Sequence, residues 1–214
     1  SSMNGAQSLI HTLVNCGVRL CFANPGTSEM HFVAALDSVP EMRAVLCLFE
    51  GVATGAADGY ARVSGSPALT LLHLGPGLAN GLANLHNARR AGSPVVNVVG
   101  EHATFHRQYE APLTADIVGI ARPVSSWICE SRTAASVAAD AARAVQAART
   151  VPGGVATMIL SADAAWNPAE RPADMLPDIG AAPVNATAID NAAGLLRNGR
   201  KTVLLLRGAA LRGA

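Results

Sequence analysis

Four short segments hold residue types from which a reaction site can be built, and each follows a run of apolar residues: Asn24-Pro25-Gly26-Thr27-Ser28-Glu29, Phe49-Glu50-Gly51, His73-Leu74-Gly75-Pro76-Gly77 and Gly100-Glu101-His102. Glu50 stands directly after Leu46-Cys47-Leu48-Phe49, so a strand there delivers its carboxylate at a sheet edge beside the start of the next helix. The first cation downstream is Arg62. A carboxylate so placed either serves the dipole of that helix or sits partly desolvated, ready to exchange a proton with a ligand nitrogen. His73 has the same two readings, a hydrogen-bonded structural imidazole or a proton donor and acceptor. Gly75-x-Gly77, between strand and helix, also invites a dinucleotide-phosphate reading, with Glu101 as the acid for a ribose. Against it, Asn80 stands where the third glycine belongs, and Pro76 removes an amide that such a cradle would use.

These segments need elements to hold them. Strand-like runs are expected at Val18–Ala23, Ala44–Phe49, Ala68–Leu74, Pro94–Gly100, Val124–Cys129 and Val155–Leu160, with helices at Glu50–Val63, Leu78–Arg90 and Thr133–Arg149. The strands are continuously apolar rather than alternating, which implies that both sheet faces are covered. Alternation of strand and helix with short links predicts an α/β fold, a doubly wound parallel sheet with helices on both faces. Ligands in such sheets gather beyond the carboxyl ends of the strands. After Leu160 the texture changes. Ser161–Pro183 holds four prolines and no clean period, so it reads as extended chain. A helix over Asn185–Asn198, capped by Thr187 and stopped by Gly199, is followed by a strand over Lys201–Arg207, with a loop or helix beginning at Gly208. The expected organisation is therefore an α/β domain over 4–165, a linker over 166–186 and, over 187–214, the beginning of a truncated Rossmann-like domain, since one helix and one strand close no core. The chain is expected to be a fragment or part of a longer protein, and Ser1-Ser2 an added remnant ahead of a natural Met3.

Composition narrows the classes. Of 214 residues, 50% are apolar and only 14% charged, with a net charge of +1. That balance gives no case for nucleic acid or an anionic membrane. No apolar run approaches the roughly 18 residues of a membrane-spanning helix, and the N-terminus has no signal-peptide pattern. Cys16, Cys21, Cys47 and Cys129 lie in apolar segments without metal-ligand spacing and read as buried thiols of a cytoplasmic protein. No metal site is expected among the histidines and cysteines of this chain. A chain with so few charges is expected to hide part of its surface against something else.

The run Phe49-Glu50-Gly51-Val52-Ala53-Thr54-Gly55-Ala56-Ala57-Asp58-Gly59-Tyr60-Ala61-Arg62 resembles the E…A-A-D-G-Y-A-R element of thiamine diphosphate-dependent enzymes. Gly75-Pro76-Gly77-Leu78-Ala79-Asn80, Pro94–Gly100 and Ala121-Arg122-Pro123 extend the resemblance in order. It points to the pyrimidine-binding domain of the acetolactate synthase and benzoylformate decarboxylase group, with thiamine diphosphate as cofactor. The resemblance implies that Glu50 hydrogen-bonds a ring nitrogen of the cofactor's aminopyrimidine and so activates it. It implies further that Pro25, Gly26, Gly75, Pro76, Gly77 and Asn80 contact the cofactor, and that His73 and Thr27 line the site of a 2-oxo acid substrate, His73 moving protons and Thr27 binding the carboxylate. Asp58 and Arg62 are expected to support the helix rather than the chemistry.

Asn24-Pro25-Gly26-Thr27-Ser28-Glu29 with Leu72-His73 is closer to benzoylformate decarboxylases, and Leu113 stands where acetolactate synthases usually carry glutamine. Gly75-Pro76-Gly77 is closer to acetolactate synthases. The family binds the diphosphate through Mg2+ on a G-D-G…N-N element of another domain, and no G-D-G occurs here. The resemblance therefore implies half a site, completed by the diphosphate-binding domain of another subunit in a homodimer or homotetramer. The alternative is a non-catalytic nucleotide-binding or regulatory module on the same fold.

Overall fold

The computed structural model describes residues 3–180 and 183–211. The expectations for Ser1-Ser2, for positions 181 and 182 of the linker and for 212–214 lie outside the described residues. Among the described residues, β1 (Leu20–Asn24), β2 (Arg43–Leu46), β3 (Ala68–His73), β4 (Val95–Glu101), β5 (Trp127–Ser131) and β6 (Val155–Ser161) form one parallel sheet in the order β2-β1-β3-β4-β6-β5. The helices of this unit are α1 (Gly5–Asn15), α2 (Met30–Leu36), α3 (Glu50–Ser64), α4 (Leu74–Ala91), α5 (Ile117–Ala121), α6 (Val137–Arg149) and α7 (Ala162–Trp166). No helix of the described residues is long and apolar enough to cross a membrane.

Successive strand residues point to opposite faces, and the two faces build two cores. Leu69, Leu71, Val96, Val98, Ala156 and Met158 pack with Leu9, Leu13, Phe32 and Val145 of α1, α2 and α6. Leu72, Val95, Val99, Val155 and Ile159 pack with Ala53, Ala57, Leu78 and Leu85 of α3 and α4 and with Ile117 of α5. The continuous apolar runs are thus explained, because each strand is covered twice. On the second face a polar row crosses the centre of the sheet. Thr70, Asn97 and Thr157 are direct register partners and are fully buried. The Thr70 hydroxyl donates to Asn97 Oδ1 at 2.7 Å, Asn97 Nδ2 donates to Thr157 Oγ1 at 3.1 Å, and Ser125 joins at 2.7 Å. A register slip would leave these groups unpaired in the core, so the row specifies the alignment of β3, β4 and β6.

The structure departs from the sequence-based expectations at definite places. Gly75-Pro76-Gly77 is the first turn of α4 rather than a loop before a helix, because a proline near a helix start gives up an amide that lacks an intrahelical partner anyway. The strand expected from Val124 begins at Trp127, since the amides of Val124 and Ser125 bond Ala121 and close α5. The extended chain after Leu160 first finishes β6 and forms α7. Residues 167–178 then belong to the first unit, which ends at Asp178. They are tied to α1 by Gly5 N to Asn167 O at 3.0 Å and Ala173 N to Thr12 Oγ1 at 3.0 Å. Within the second unit, Ile179–Ala214, α8 (Ala186–Leu196) is capped by Asn185, whose side chain accepts from Ala188 N, and not by Thr187. No strand forms over residues 201–207; an apolar run becomes a strand only with a ladder partner, and the described residues of this unit form none.

Candidate active site

The sheet order reverses at β1, which has β2 on one side and β3 on the other. The carboxyl ends of strands at such a switch point open a crevice where α/β proteins bind ligands. Here β1 runs into Pro25-Gly26 and a 3-10 turn over Thr27–Glu29, while β3 ends at His73. The two ends are in intimate contact. A Cβ built on Gly26 would lie 2.4 to 2.5 Å from His73 ring atoms, so only glycine admits the imidazole there.

Beneath this contact lies Glu29, which the sequence analysis did not single out. Its side chain is 1% exposed. Oε2 accepts from Gly26 N at 2.7 Å and lies 2.8 Å from His73 Nδ1, while Oε1 is buried without a partner. Gly100, at the end of β4, makes room for it: a Cβ there would fall 1.5 Å from Oε1. Burial pushes the Glu29 carboxyl above its ordinary range, against the opposing pull of the Gly26 amide and His73. No local pattern announces this residue, although glycines on two facing strand ends are a signal that something approaches the backbone closely.

Glu50 is the first residue of α3, half-buried, and Asn80 Nδ2 of α4 donates to its Oε2 at 3.1 Å. The small residues of α3 and α4 let the helices close on each other, fastened by Thr54 Oγ1 to Gly81 O at 3.0 Å and Asn84 Nδ2 to Gly51 O at 2.7 Å. That pairing brings the start of α4 against Glu50. A Cβ on Gly77 would lie 3.5 Å from both Glu50 Oε1 and His73 Cβ. Gly77 therefore stands where the Glu50 carboxylate and the base of the His73 side chain approach the start of α4. The backbone enters α4 through Leu74 at φ 55°, a left-handed conformation costly for a leucine. Its side chain is fully buried, and that packing holds the turn in place.

The remaining candidates sort around this point. Gly75 faces Ala115, 2.4 Å from where its Cβ would be, so its need for glycine is met by packing. Pro76 is exposed in the first turn of α4, and Pro25 is half-buried beside Gly26. Thr27 is exposed and lines a cavity of about 250 Å3 shared with His102, Phe105, His106 and Trp166. His102 and His106 are four residues apart, a pair the sequence analysis missed; they lie in a loop, edge to face with centroids 5.8 Å apart, and no group of three metal-ligating side chains occurs among the described residues. Glu101 is buried, accepting from His102 N at 2.7 Å with Arg107 3.8 Å away. Asp58 and Arg62 pair at 2.7 Å, and Ser93 also donates to Asp58, which ties α3 to the chain after α4. For the dinucleotide reading the arrangement is unfavourable, since a Glu50 carboxylate oxygen lies 3.5 Å from where a Cβ on Gly77 would stand, and a carboxylate beside the first turn of α4 opposes a phosphate there.

These groups suit a flat, nitrogen-containing ring: a carboxylate that can exchange a proton with a ring nitrogen, backbone without a side chain beside it, and a histidine at the neighbouring strand end. Comparison with known proteins points the same way. The family model described as thiamine pyrophosphate enzyme, N-terminal TPP binding domain, matches residues 3–120. A protein of Mycobacterium tuberculosis (strain ATCC 25618 / H37Rv), provisionally named acetolactate synthase large subunit IlvX, is 58% identical over 99% of this chain and 40% of its own length. Benzoylformate decarboxylase of Pseudomonas aeruginosa is 34% identical over 64% of this chain and 26% of its own. The solved structure of a provisionally assigned thiamin diphosphate-dependent enzyme from Mycobacterium smegmatis superposes with a TM-score of 0.85 at 26% identity, over 92% of this chain and 38% of that one. The chain thus spans well under half the length of these relatives.

Proposed function

The chain belongs to the thiamine pyrophosphate enzyme family, whose N-terminal TPP-binding domain its residues 3–120 match, and on that premise we propose that it forms the pyrimidine-binding half of a thiamine diphosphate site acting on a 2-oxo acid. The observation that carries the proposal is the convergence of Glu50 and His73 on the start of α4 at the switch point, with Glu50 Oε1 and His73 Cβ each 3.5 Å from where a Cβ on Gly77 would stand. Glu50 is the proton-exchanging group for the cofactor ring, and Asn80 fixes its rotamer through Oε2. Pro25, Gly26, Gly75, Pro76 and Gly77 supply a backbone wall close to the ring. Thr27, on the neighbouring cavity, binds the substrate carboxylate, and His73 moves a proton to or from the reacting substrate. Bound thiamine diphosphate supplies a nucleophilic carbon and an electron sink for loss of carbon dioxide.

Glu50 works as an acid and base only where water is excluded, and in this chain the residues flanking it are apolar and open: Leu48 is 92% and Val52 57% exposed. That rim supports closure by the diphosphate-binding domain of another subunit, which would bring Mg2+, in a cytoplasmic homodimer or homotetramer. The test is Glu50→Gln in the full-length protein. Release of carbon dioxide from a panel of aryl and alkyl 2-oxo acids is expected to fall by about a hundredfold or more, with unfolding unchanged. Undiminished turnover overturns the assignment.

A further inference from the structure

We propose that Glu29 is a positioning residue that holds His73 with Nδ1 turned into the protein, so that Nε2 is the nitrogen which exchanges a proton with the substrate. The proposal rests on the reading of His73 given above and adds to it the group that decides which nitrogen acts. At 1% exposure Glu29 does not meet a substrate itself, whereas the His73 side chain, 22% exposed, reaches the crevice.

The geometry leaves the imidazole little choice. Oε2 takes two donors, the Gly26 amide at 2.7 Å and His73 Nδ1 at 2.8 Å. The backbone amide can only donate, so Oε2 is anchored independently of the histidine and presents a fixed acceptor to it. Gly26 lies against the ring from one side, and Gly100 admits the far end of the carboxylate from behind; a Cβ at either position would displace one partner. A neutral imidazole with its proton on Nδ1 satisfies this acceptor and leaves the Nε2 lone pair free; protonated at both nitrogens, it offers Nε2–H. The other ionisable groups on the elements around the pair have their own partners. Glu50 accepts from Asn80, Glu101 accepts from His102 N, and Asp163 holds Thr104 N at 3.0 Å. His31 packs its ring on Trp166. A purely structural role would be met as well by apolar side chains, since buried ionic pairs rarely stabilise more than a hydrophobic replacement. Instead the fold gives up a side chain at two strand ends and leaves Oε1 unpaired to keep this carboxylate behind this imidazole.

The experiment is nitrogen-15 NMR of the histidine rings in the 214-residue chain, with Glu29→Met and Glu29→Gln, followed by kinetics of the same substitutions in the full-length protein. Wild-type neutral His73 is expected as the Nδ1–H tautomer. Glu29→Met is expected to lose that preference, and Glu29→Gln, which keeps an acceptor oxygen, to retain it. In turnover, Glu29→Met is expected to lower kcat by about tenfold or more with KM little changed, and Glu29→Gln to recover most of that loss. An Nε2–H tautomer in the wild type overturns the proposal without any variant. So does a methionine variant that changes the tautomer but not kcat while His73→Ala remains impaired. An unimpaired His73→Ala refutes the assigned role of His73 itself, and the positioning proposal with it, by a different sign.

Discussion

Gly26→Ala tests the most crowded contact of the site. Gly26 has φ −122° and ψ −159°, extended backbone that alanine adopts without strain, so any cost comes from the side chain alone. The new methyl would stand 2.4 to 2.5 Å from Nδ1, Cε1 and Cγ of His73. Restoring ordinary contact requires the ring to retreat by about 1 Å, and Nδ1 then leaves hydrogen-bonding range of Glu29 Oε2. Losing a hydrogen bond to a buried carboxylate costs about 1.5–3 kcal/mol. Replacing glycine returns about 0.4–1 kcal/mol by restricting the unfolded chain. The net expectation is a loss of about 0.5–2.6 kcal/mol, which in a unit of this size lowers Tm by roughly 1–10 °C. Thermal unfolding followed by circular dichroism reads this directly, with His73 ring resonances as a local witness. Gly77→Ala is the matched control. Its Cβ meets Glu50 Oε1 and His73 Cβ at 3.5 Å, ordinary contact, so stability is expected to hold or rise by up to about 1 kcal/mol, while on the proposed function affinity of the full-length protein for thiamine diphosphate falls because a methyl then stands between Glu50 and the cofactor ring. A Gly26→Ala protein with unchanged Tm and unchanged His73 resonances would refute the packing argument. Equal cofactor affinity in Gly77→Ala would refute the placement of the cofactor ring beside Gly77.

Two further expectations concern the scaffold. Asn97→Ala is expected to cost about 2–4 kcal/mol because it orphans the buried Thr70 hydroxyl, takes one of two partners from Thr157 and leaves a cavity, whereas the double change Thr70→Val, Asn97→Leu, which keeps the Thr157–Ser125 pair, should be less destabilising than the single one in urea unfolding. The carboxyl of Glu130, which burial alone would raise, is held below its ordinary 4.5 by hydrogen bonds from Arg132 and Arg107. A lowered folded-state value stabilises above the ordinary one, and the contribution disappears as pH falls through the folded value. The stability difference between wild type and Arg107→Ala/Arg132→Ala is therefore expected to be largest near neutral pH and to shrink as pH falls below the ordinary 4.5 and through the lowered folded-state value.

Much of the sheet was legible because a strand covered on both faces has no polar side, and Ala68–Leu74 or Val155–Leu160 announces itself by that alone. Glu50–Val63 was equally plain: an acid at the start and a long run of small residues gave nearly the observed α3. α1 was overlooked although its signals are local. Asn4 and Gln7 form a capping box, and Leu9, Ile10 and Leu13 fall on one face. Residues 201–207 show the converse: apolarity is necessary for a buried strand, but pairing is a property of other residues. Glu50, His73, Gly77 and Asn80 could be grouped from the resemblance, and the structure brings them together. Glu29 could not. Its meaning depends on His73, 44 residues away, and on the absence of a side chain at Gly100 across the sheet.

Folding accounts for only part of the low charge of the chain, and the proposed function supplies a second cause. Covering a parallel sheet on both faces consumes apolar residues in strands and small residues in helices, which accounts for the cores around Leu69 and Leu72. It does not account for Leu46 at 71%, Leu48 at 92%, Phe49 at 51% or Val52 at 57% exposure, a cluster of short sequence span that contains Glu50. Selection for a soluble surface would remove such residues, and selection for the α3 core would not notice them, because α3 buries Ala53, Ala57 and Ala61 on its other side. What they do share is position around the carboxylate. On the proposed function, a proton passes between Glu50 and a ring nitrogen, and a carboxylate in free contact with water has little reason to prefer that partner. On the same proposal, an apolar rim covered by a docking second half-site would supply the missing desolvation as the cofactor is enclosed. Leu48→Ser and Val52→Ser should then leave the Tm of this chain almost unchanged, within about 0.5 kcal/mol for surface positions, yet weaken subunit association and cofactor retention in the full-length protein, as read by sedimentation and by calorimetry with thiamine diphosphate and Mg2+. If both substitutions were silent in association and in binding, the rim would have no part in closing the site.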